Sequence, residues 1–261
     1  MLYTKLLSTL LKARMGTVVL DDKDTSDESF GLALVADGIG GLDLCATSLK
    51  IVAANDRRLP RVKTLSWGHG FGRWLADLTD RSHHEIMADE IARVVQSFRQ
   101  AKPNEPVYLI GKSGGTGLVV WALERLPENS IETVVLLAPA LSTGYDLSLA
   151  ARAVRREIVV FWSPLDFVIL GLGTRIFGTV DGVRAVAAGL RGFRLPLNDP
   201  LVAKKLRQVR WHPEMARTGY LGGHIGPDLP GFLKRYVAPL LTAQKGESIA
   251  GSSPARSGPI T

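Results

Sequence analysis

The chain has 261 residues, 46% hydrophobic and 22% charged, with a formal net charge of +7 and a single cysteine. That length and balance suit one large globular domain, and one cysteine excludes an internal disulfide. No Cys or His spacing fits zinc, and the basic runs 152–156 (RAVRR) and 204–210 (KKLRQVR) carry no interleaved aromatics. They read as a solvated basic face and not as a nucleic-acid surface.

The N-terminal stretch MLYTKLLSTLLKARMG places Leu2, Leu6, Leu7, Leu10 and Leu11 on one helical face, with Lys5, Lys12 and Arg14 elsewhere. It is too short to span a bilayer and has no small-residue cleavage site, so a cytoplasmic protein is expected. The stretch reads as a helix packed on its own domain; contact with a membrane surface is compatible with it but not required. An acidic loop, DDKDTSDE, follows at 21–28. The expected division is an N-terminal helix or strand with its acidic loop over 1–28, one domain over 29–242, and a disordered tail rich in Gly, Ser and Pro over 243–261.

From residue 30 the pattern alternates. FGLALVAD (30–37) reads as a strand, LDLCATSLKIVAAN (42–55) as a helix that buries Cys45, VKTLSW (62–67) as a strand, and HEIMADEIARVVQSFRQ (84–100) as an amphipathic helix whose leading His83 and His84 are exposed. A strand at 106–110 meets a helix at 118–126. Strands at 131–139, 157–163 and 206–211 follow, and PGFLKRYVAPLL (230–241) closes the domain as a helix. Continuous Val/Ile/Leu runs separated by helices predict an α/β fold: a mostly parallel sheet with helices on both faces. In such sheets the ligand site lies beyond the carboxyl ends of the strands.

The stretch VYLIGKSGGTG (107–117) admits two unrelated motifs. A phosphate-binding loop requires glycine five residues before Gly111, where the chain has Pro106, and an apolar strand occupies the intervening positions. The second motif is G-x-S-x-G, a nucleophile elbow: strand, sharp turn carrying Ser113, then helix, with small residues where strand and helix crowd. A serine hydroxyl needs a base, and the base needs an acid to orient it. His224, in the glycine-rich loop YLGGHIGP after the last strand, is the candidate base; His69, in WGHGFG, is the alternative. Asp166, in FWSPLD after the strand 157–163, is the candidate acid, with Asp146 as runner-up.

GKSGG on its strand–turn–helix, SPLD after the next strand but one and GGH after the last strand appear in the order Ser113, Asp166, His224. In this the chain resembles the α/β-hydrolase family of serine hydrolases, esterase- or lipase-like, over about residues 29–242. The resemblance implies acyl transfer to water through an acyl-enzyme, with no metal or organic cofactor. It also implies an oxyanion hole formed by the N–H of Gly114 and by the loop after an earlier strand. That loop is Asp37-Gly38-Ile39-Gly40-Gly41, with Ile39 the favoured donor; the family often has His-Gly where this sequence has Asp37-Gly38. A dinucleotide fingerprint there would need a small residue at Asp43. Gly38, Lys112, His69 and Trp67 are expected to line the substrate site, with Trp67, Phe71 and Trp74 as an aromatic rim. Residues 167–210 form either part of a cap or ordinary packing. The expected partner is a small ester or thioester with an apolar acyl group; an acyltransferase, or an inactive binding protein on the same fold, is the alternative.

Overall fold

The computed structural model describes residues 19–20, 30–167, 170, 178–194 and 199–242. The N-terminal helix, the acidic loop and the tail expected from the sequence lie outside the described residues. The strands are β1 (Val19–Leu20), β2 (Leu32–Ala36), β3 (Arg61–Ser66), β4 (Val107–Lys112), β5 (Ile131–Leu137), β6 (Val154–Trp162) and β7 (Leu206–Arg210). They form one sheet in the order β1-β3-β2-β4-β5-β6-β7. The six strands β2 to β7 run parallel, and β1 pairs antiparallel with β3 at one edge.

The expected mostly parallel α/β fold is what the chain adopts. The apolar runs are continuous because both faces of the sheet are covered. Along β2 and β4, Leu32, Leu34, Val107 and Leu109 enter one core, while Ala33, Val35, Tyr108 and Ile110 enter the other. The first core is closed by Met87, Ile91 and Val95 of α3 (Arg81–Ala101) and by Leu118 and Val119 of α4 (Gly115–Leu123). The second is closed by Cys45, Leu49 and Val52 of α1 (Leu44–Ala54) and by Phe232, Leu233 and Val237 of the last helical run. A short α2 (Trp74–Thr79) precedes α3, whose first turn is capped by Asp80 accepting from the N–H of His83 at 3.0 Å.

The basic runs meet at the amino-terminal edge of the sheet, where parallel β6 and β7 both begin. There Arg207 pairs with Glu157, Arg155 with Glu132, and Lys205 donates to the carbonyls of Ala151 and Val154. Ser113 stands at the opposite, carboxyl edge. Among the described residues, no helix is long and apolar enough to cross a membrane.

One glycine governs how β4 turns into α4. A Cβ on Gly115 would stand 2.2 Å from the carbonyl oxygen of Ala36 and 2.4 Å from that of Asp37. Neither backbone oxygen can retreat without moving β2. Overpacking of a rigid site costs about 1–3 kcal/mol, sometimes more. Gly115→Ala is therefore expected to lower the thermal midpoint by several degrees, about 2–4 °C per kcal/mol at this chain length. Differential scanning calorimetry checks it, and an unchanged midpoint would show that the contact relaxes freely.

Candidate active site

β4 is a central strand, flanked by β2 and β5, and it ends at Lys112. Ser113 follows with φ +50°, in the left-handed region that a side chain rarely adopts. The conformation is held by bonds on both sides: its N–H donates to the carbonyl of Leu137 at 2.9 Å, and its own carbonyl accepts from Thr116 N–H at 3.1 Å and from Thr116 Oγ1. α4 begins at Gly115, three residues before the expected start, because the turn is no longer than Ser113 and Gly114.

The fold brings Ser113, His224 and Asp166 together from positions far apart in the chain. His224 Nδ1 lies 2.6 Å from Asp166 Oδ2, and His224 Nε2 lies 3.0 Å from Ser113 Oγ. With Nδ1 facing a carboxylate, that nitrogen carries the proton, and Nε2 is left to accept from the serine hydroxyl. Asp166 is buried in the turn after β6, where its N–H donates to the carbonyl of Ser163. The base loop reaches the elbow by packing closely on this turn. Gly222 has φ +95°, and a Cβ there would lie 2.6 Å from Leu165 Cδ1. Asp146 stays away: it is exposed and accepts from the N–H of Ser148 at the start of α5 (Ser148–Ala153). His212 is half-buried with its ring edge-on to Tyr236.

The loop 37–41 after β2 lies against the elbow. An added Cβ on Gly38 would be 3.4 Å from Ser113 Cβ, and one on Gly114 would be 3.7 Å from Ile39 N. Among the described residues, the amides of Ile39 and Gly114 take part in no hydrogen bond. The loop is fixed by two buried acids that the sequence did not mark for this task. Asp37 accepts from the N–H of Cys45 at 3.0 Å and of Ala46 at 2.9 Å, capping α1 from the end of β2. Asp77, fully buried on α2, accepts from the N–H of Gly40 at 2.8 Å and of His69 at 2.6 Å.

Beside Ser113 opens a cavity of about 430 Å³, within the range of small-molecule sites. Its wall is mostly apolar and includes Ile39, Leu42, Leu44, Trp74, Leu78 and Ile225. Gly38 and Lys112 line it. His69 and Trp67 do not. The ring of His69 is turned between carboxylates, with Nδ1 2.9 Å from Asp77 Oδ1 and Nε2 3.2 Å from Asp80 Oδ2. Trp67 is buried behind the elbow and donates from Nε1 to the carbonyl of Asp37 at 2.9 Å. Phe71 is exposed, so Trp74 alone of the expected aromatic rim lines the cavity. His84, expected on the surface, is buried; burial pushes its imidazole pKa down, and its ring stacks on Trp121. From the 167–210 stretch, Leu170 and Gly178 line the cavity, and Asp181 accepts from the N–H and hydroxyl of Ser142.

One wall is charged. Lys112 Nζ stands 3.4 Å from Asp228 Oδ2, both side chains buried, with Asp37 and Cys45 close by. The donor atoms of Asp37, Cys45 and Asp228 lie within 4.8 Å of one another. As a metal site the set is poor: Lys112 already supplies the positive charge, and burial pushes the Cys45 thiol well above its ordinary pKa, keeping it protonated.

A family model described as "Serine aminopeptidase, S33" matches residues 67–219, more than half of the chain. The chain belongs to this family of α/β hydrolases. The match begins at Trp67 and takes in the elbow and the turn of Asp166, ending before His224. No curated protein matches the sequence. Among the many solved structures that are similar in fold are two hydrolases. One is a predicted CIB-like hydrolase from Thermoplasma acidophilum, at 14% identity and TM-score 0.46, covering 83% of this chain and 88% of that one. The other is LpqC, a poly(3-hydroxybutyrate) depolymerase from Bordetella parapertussis, at 15% identity and TM-score 0.46, covering 84% and 90%.

Asp37 makes the stability of the site depend on pH. Burial pushes its carboxyl up to about 7, against the two amides that favour the ionised form. A carboxyl raised in the fold contributes stability that is full below about pH 4 and is lost as pH rises through the folded value. Asp37→Asn removes that titration along with part of the helix cap. The thermal midpoint of wild type should exceed that of Asp37→Asn, by a margin that narrows between about pH 4 and about pH 7. A constant or widening margin would show Asp37 ionised throughout.

Proposed function

We propose that the protein is a serine hydrolase that cleaves a carboxylic ester or thioester of an apolar acyl group through an acyl-enzyme. The observation that carries this reading is the chain of contacts Ser113 Oγ, His224 Nε2, His224 Nδ1, Asp166 at the side of an apolar cavity. Ser113 attacks the acyl carbonyl while His224 takes its proton. Asp166 holds the ring in the required tautomer and balances the imidazolium. The amides of Gly114 and Ile39 receive the oxyanion of the tetrahedral intermediate. His224 then returns the proton to the leaving alcohol or thiol. A water molecule, activated by the same base, releases the acyl group from Ser113. No step calls on a cofactor. The basic runs 152–156 and 204–210 lie toward the far edge of the sheet, so recognition of the acyl group rests on the apolar wall, and contact with a membrane surface is not needed.

The family description favours a second reading, cleavage of a peptide bond next to a free amino terminus. The same three residues can also cut an amide, whose leaving amine takes its proton from His224. Para-nitrophenyl esters of increasing acyl length, run beside amino-acid para-nitroanilides, separate the two. The ester reading expects kcat/KM to rise about fourfold per methylene until the cavity is full, from about 0.8 kcal/mol per buried CH2. Turnover of the anilides alone would transfer the assignment to a peptidase.

The roles are separable by mutation. Ser113→Ala should cost on the order of a million-fold in kcat, and Asp166→Asn about ten-thousand-fold. Asp146→Asn, at an exposed position whose side chain bonds Ser148 away from the site, should stay near wild type. A crippled Asp146→Asn with an active Asp166→Asn would relocate the acid.

A further inference from the structure

His224 has a second carboxylate on its own loop. Asp228 lies four residues further on, in the turn Gly226–Asp228, with its side chain only 8% exposed. Its partner, Lys112, precedes Ser113 and is held in β4 by pairing with β5. The 3.4 Å ion pair therefore ties the loop that delivers His224 to the strand that delivers Ser113. The other oxygen of Asp228, Oδ1, is buried with no hydrogen-bond partner among the described residues. An unpaired buried carboxylate oxygen is costly. Burial pushes the Asp228 carboxyl up, and it is opposed by Lys112 and, more weakly, by His224.

We propose that Asp228 is a positioning residue for His224: clamped by Lys112, it fixes the base loop to the elbow, and its negative charge steadies the imidazolium formed when Ser113 gives up its proton. This rests on the triad reading given above. Asp166 orients the ring through a direct bond; Asp228 acts through the loop and through space. The titratable and charged groups facing the pair are Asp166 after β6, Ser113 and Lys112 at the end of β4, Asp37 at the end of β2 with Asp43 near it, and Cys45 of α1. Tyr220, ahead of the base loop, completes the set; burial pushes its hydroxyl up. Lys112 is the one cation among them besides His224 itself.

The test follows the His224 ring by NMR through a pH titration, its resonance assigned by its loss in His224→Gln, in wild type, Asp228→Asn and Lys112→Met. The ring titrates whether or not Ser113 attacks a substrate, so this result stands apart from the triad reading, which is tested by turnover. Asp228→Asn should lower the midpoint by about half a pH unit or more, because a negative neighbour has gone. Lys112→Met should raise it, because a positive one has gone. An unchanged midpoint in Asp228→Asn would overturn the proposal. A fall in both variants would overturn it too, since that is general loosening and not charge. Where Asp228→Asn does not fold, Lys112→Met decides alone: a rise supports the proposal and anything else defeats it.

Discussion

The close approach of α4 to the end of β2 is the constraint on which the rest depends. A helix that starts two residues after Ser113 can do so only where Gly115 passes the carbonyls of Ala36 and Asp37 without a side chain. That contact forces the turn at Ser113 into positive φ and lifts its hydroxyl out of the sheet at the carboxyl edge. It also brings the loop 37–41 alongside, so that the amides proposed to receive an oxyanion and the proposed nucleophile share one backbone junction. Strain at Ser113 is tolerated because Leu137, Thr116 and Ala140 hold both of its peptide groups.

Around that junction buried acids do what backbone alone cannot. Asp37 caps α1 from outside the helix, Asp77 ties loop 37–41 to loop 67–72, and Asp228 ties the base loop to β4 through Lys112. Each carboxylate pays a desolvation penalty, and for Asp37 that penalty outweighs its two amide bonds. Each of these groups holds a contact that an apolar side chain could not make. The floor and rim of the cavity are thus built differently. Asp37, Lys112 and Asp228 form the polar part of the lining, and Leu42, Leu44, Trp74 and Ile225 form the apolar wall, the part suited to an acyl chain.

The fold was legible because its strands are buried on both faces and read as unbroken apolar runs. β1 was not, since two residues carry no periodicity. The start of α4 was placed late because Gly-Thr-Gly has loop composition; tight packing, not helix propensity, decides there. Ser113, Asp166 and His224 were legible from turn chemistry and chain order, and the structure places them in contact. Asp77 and Asp228 were not, because their partners, Gly40 and Lys112, are remote in sequence and leave no local pattern. His69 was read as lining because it follows a strand near the site, and Trp67 because it is an aromatic neighbour of His69. Their polar atoms are instead taken by Asp77, Asp80 and the carbonyl of Asp37, which turns both away from the cavity. A different local rule failed at His84: a histidine in the first turns of an amphipathic helix looks solvent-facing, yet α2 and Trp121 cover it.

The most direct test of the central claim is mass spectrometry of the intact protein after reaction with a fluorophosphonate, followed by peptide mapping. The account predicts a single adduct on Ser113, formed by wild type and absent from His224→Ala at equal exposure, because the hydroxyl is nucleophilic only while His224 accepts its proton. No adduct on wild type, an adduct on another serine such as Ser142, or equal labelling of Ser113 in His224→Ala would contradict it.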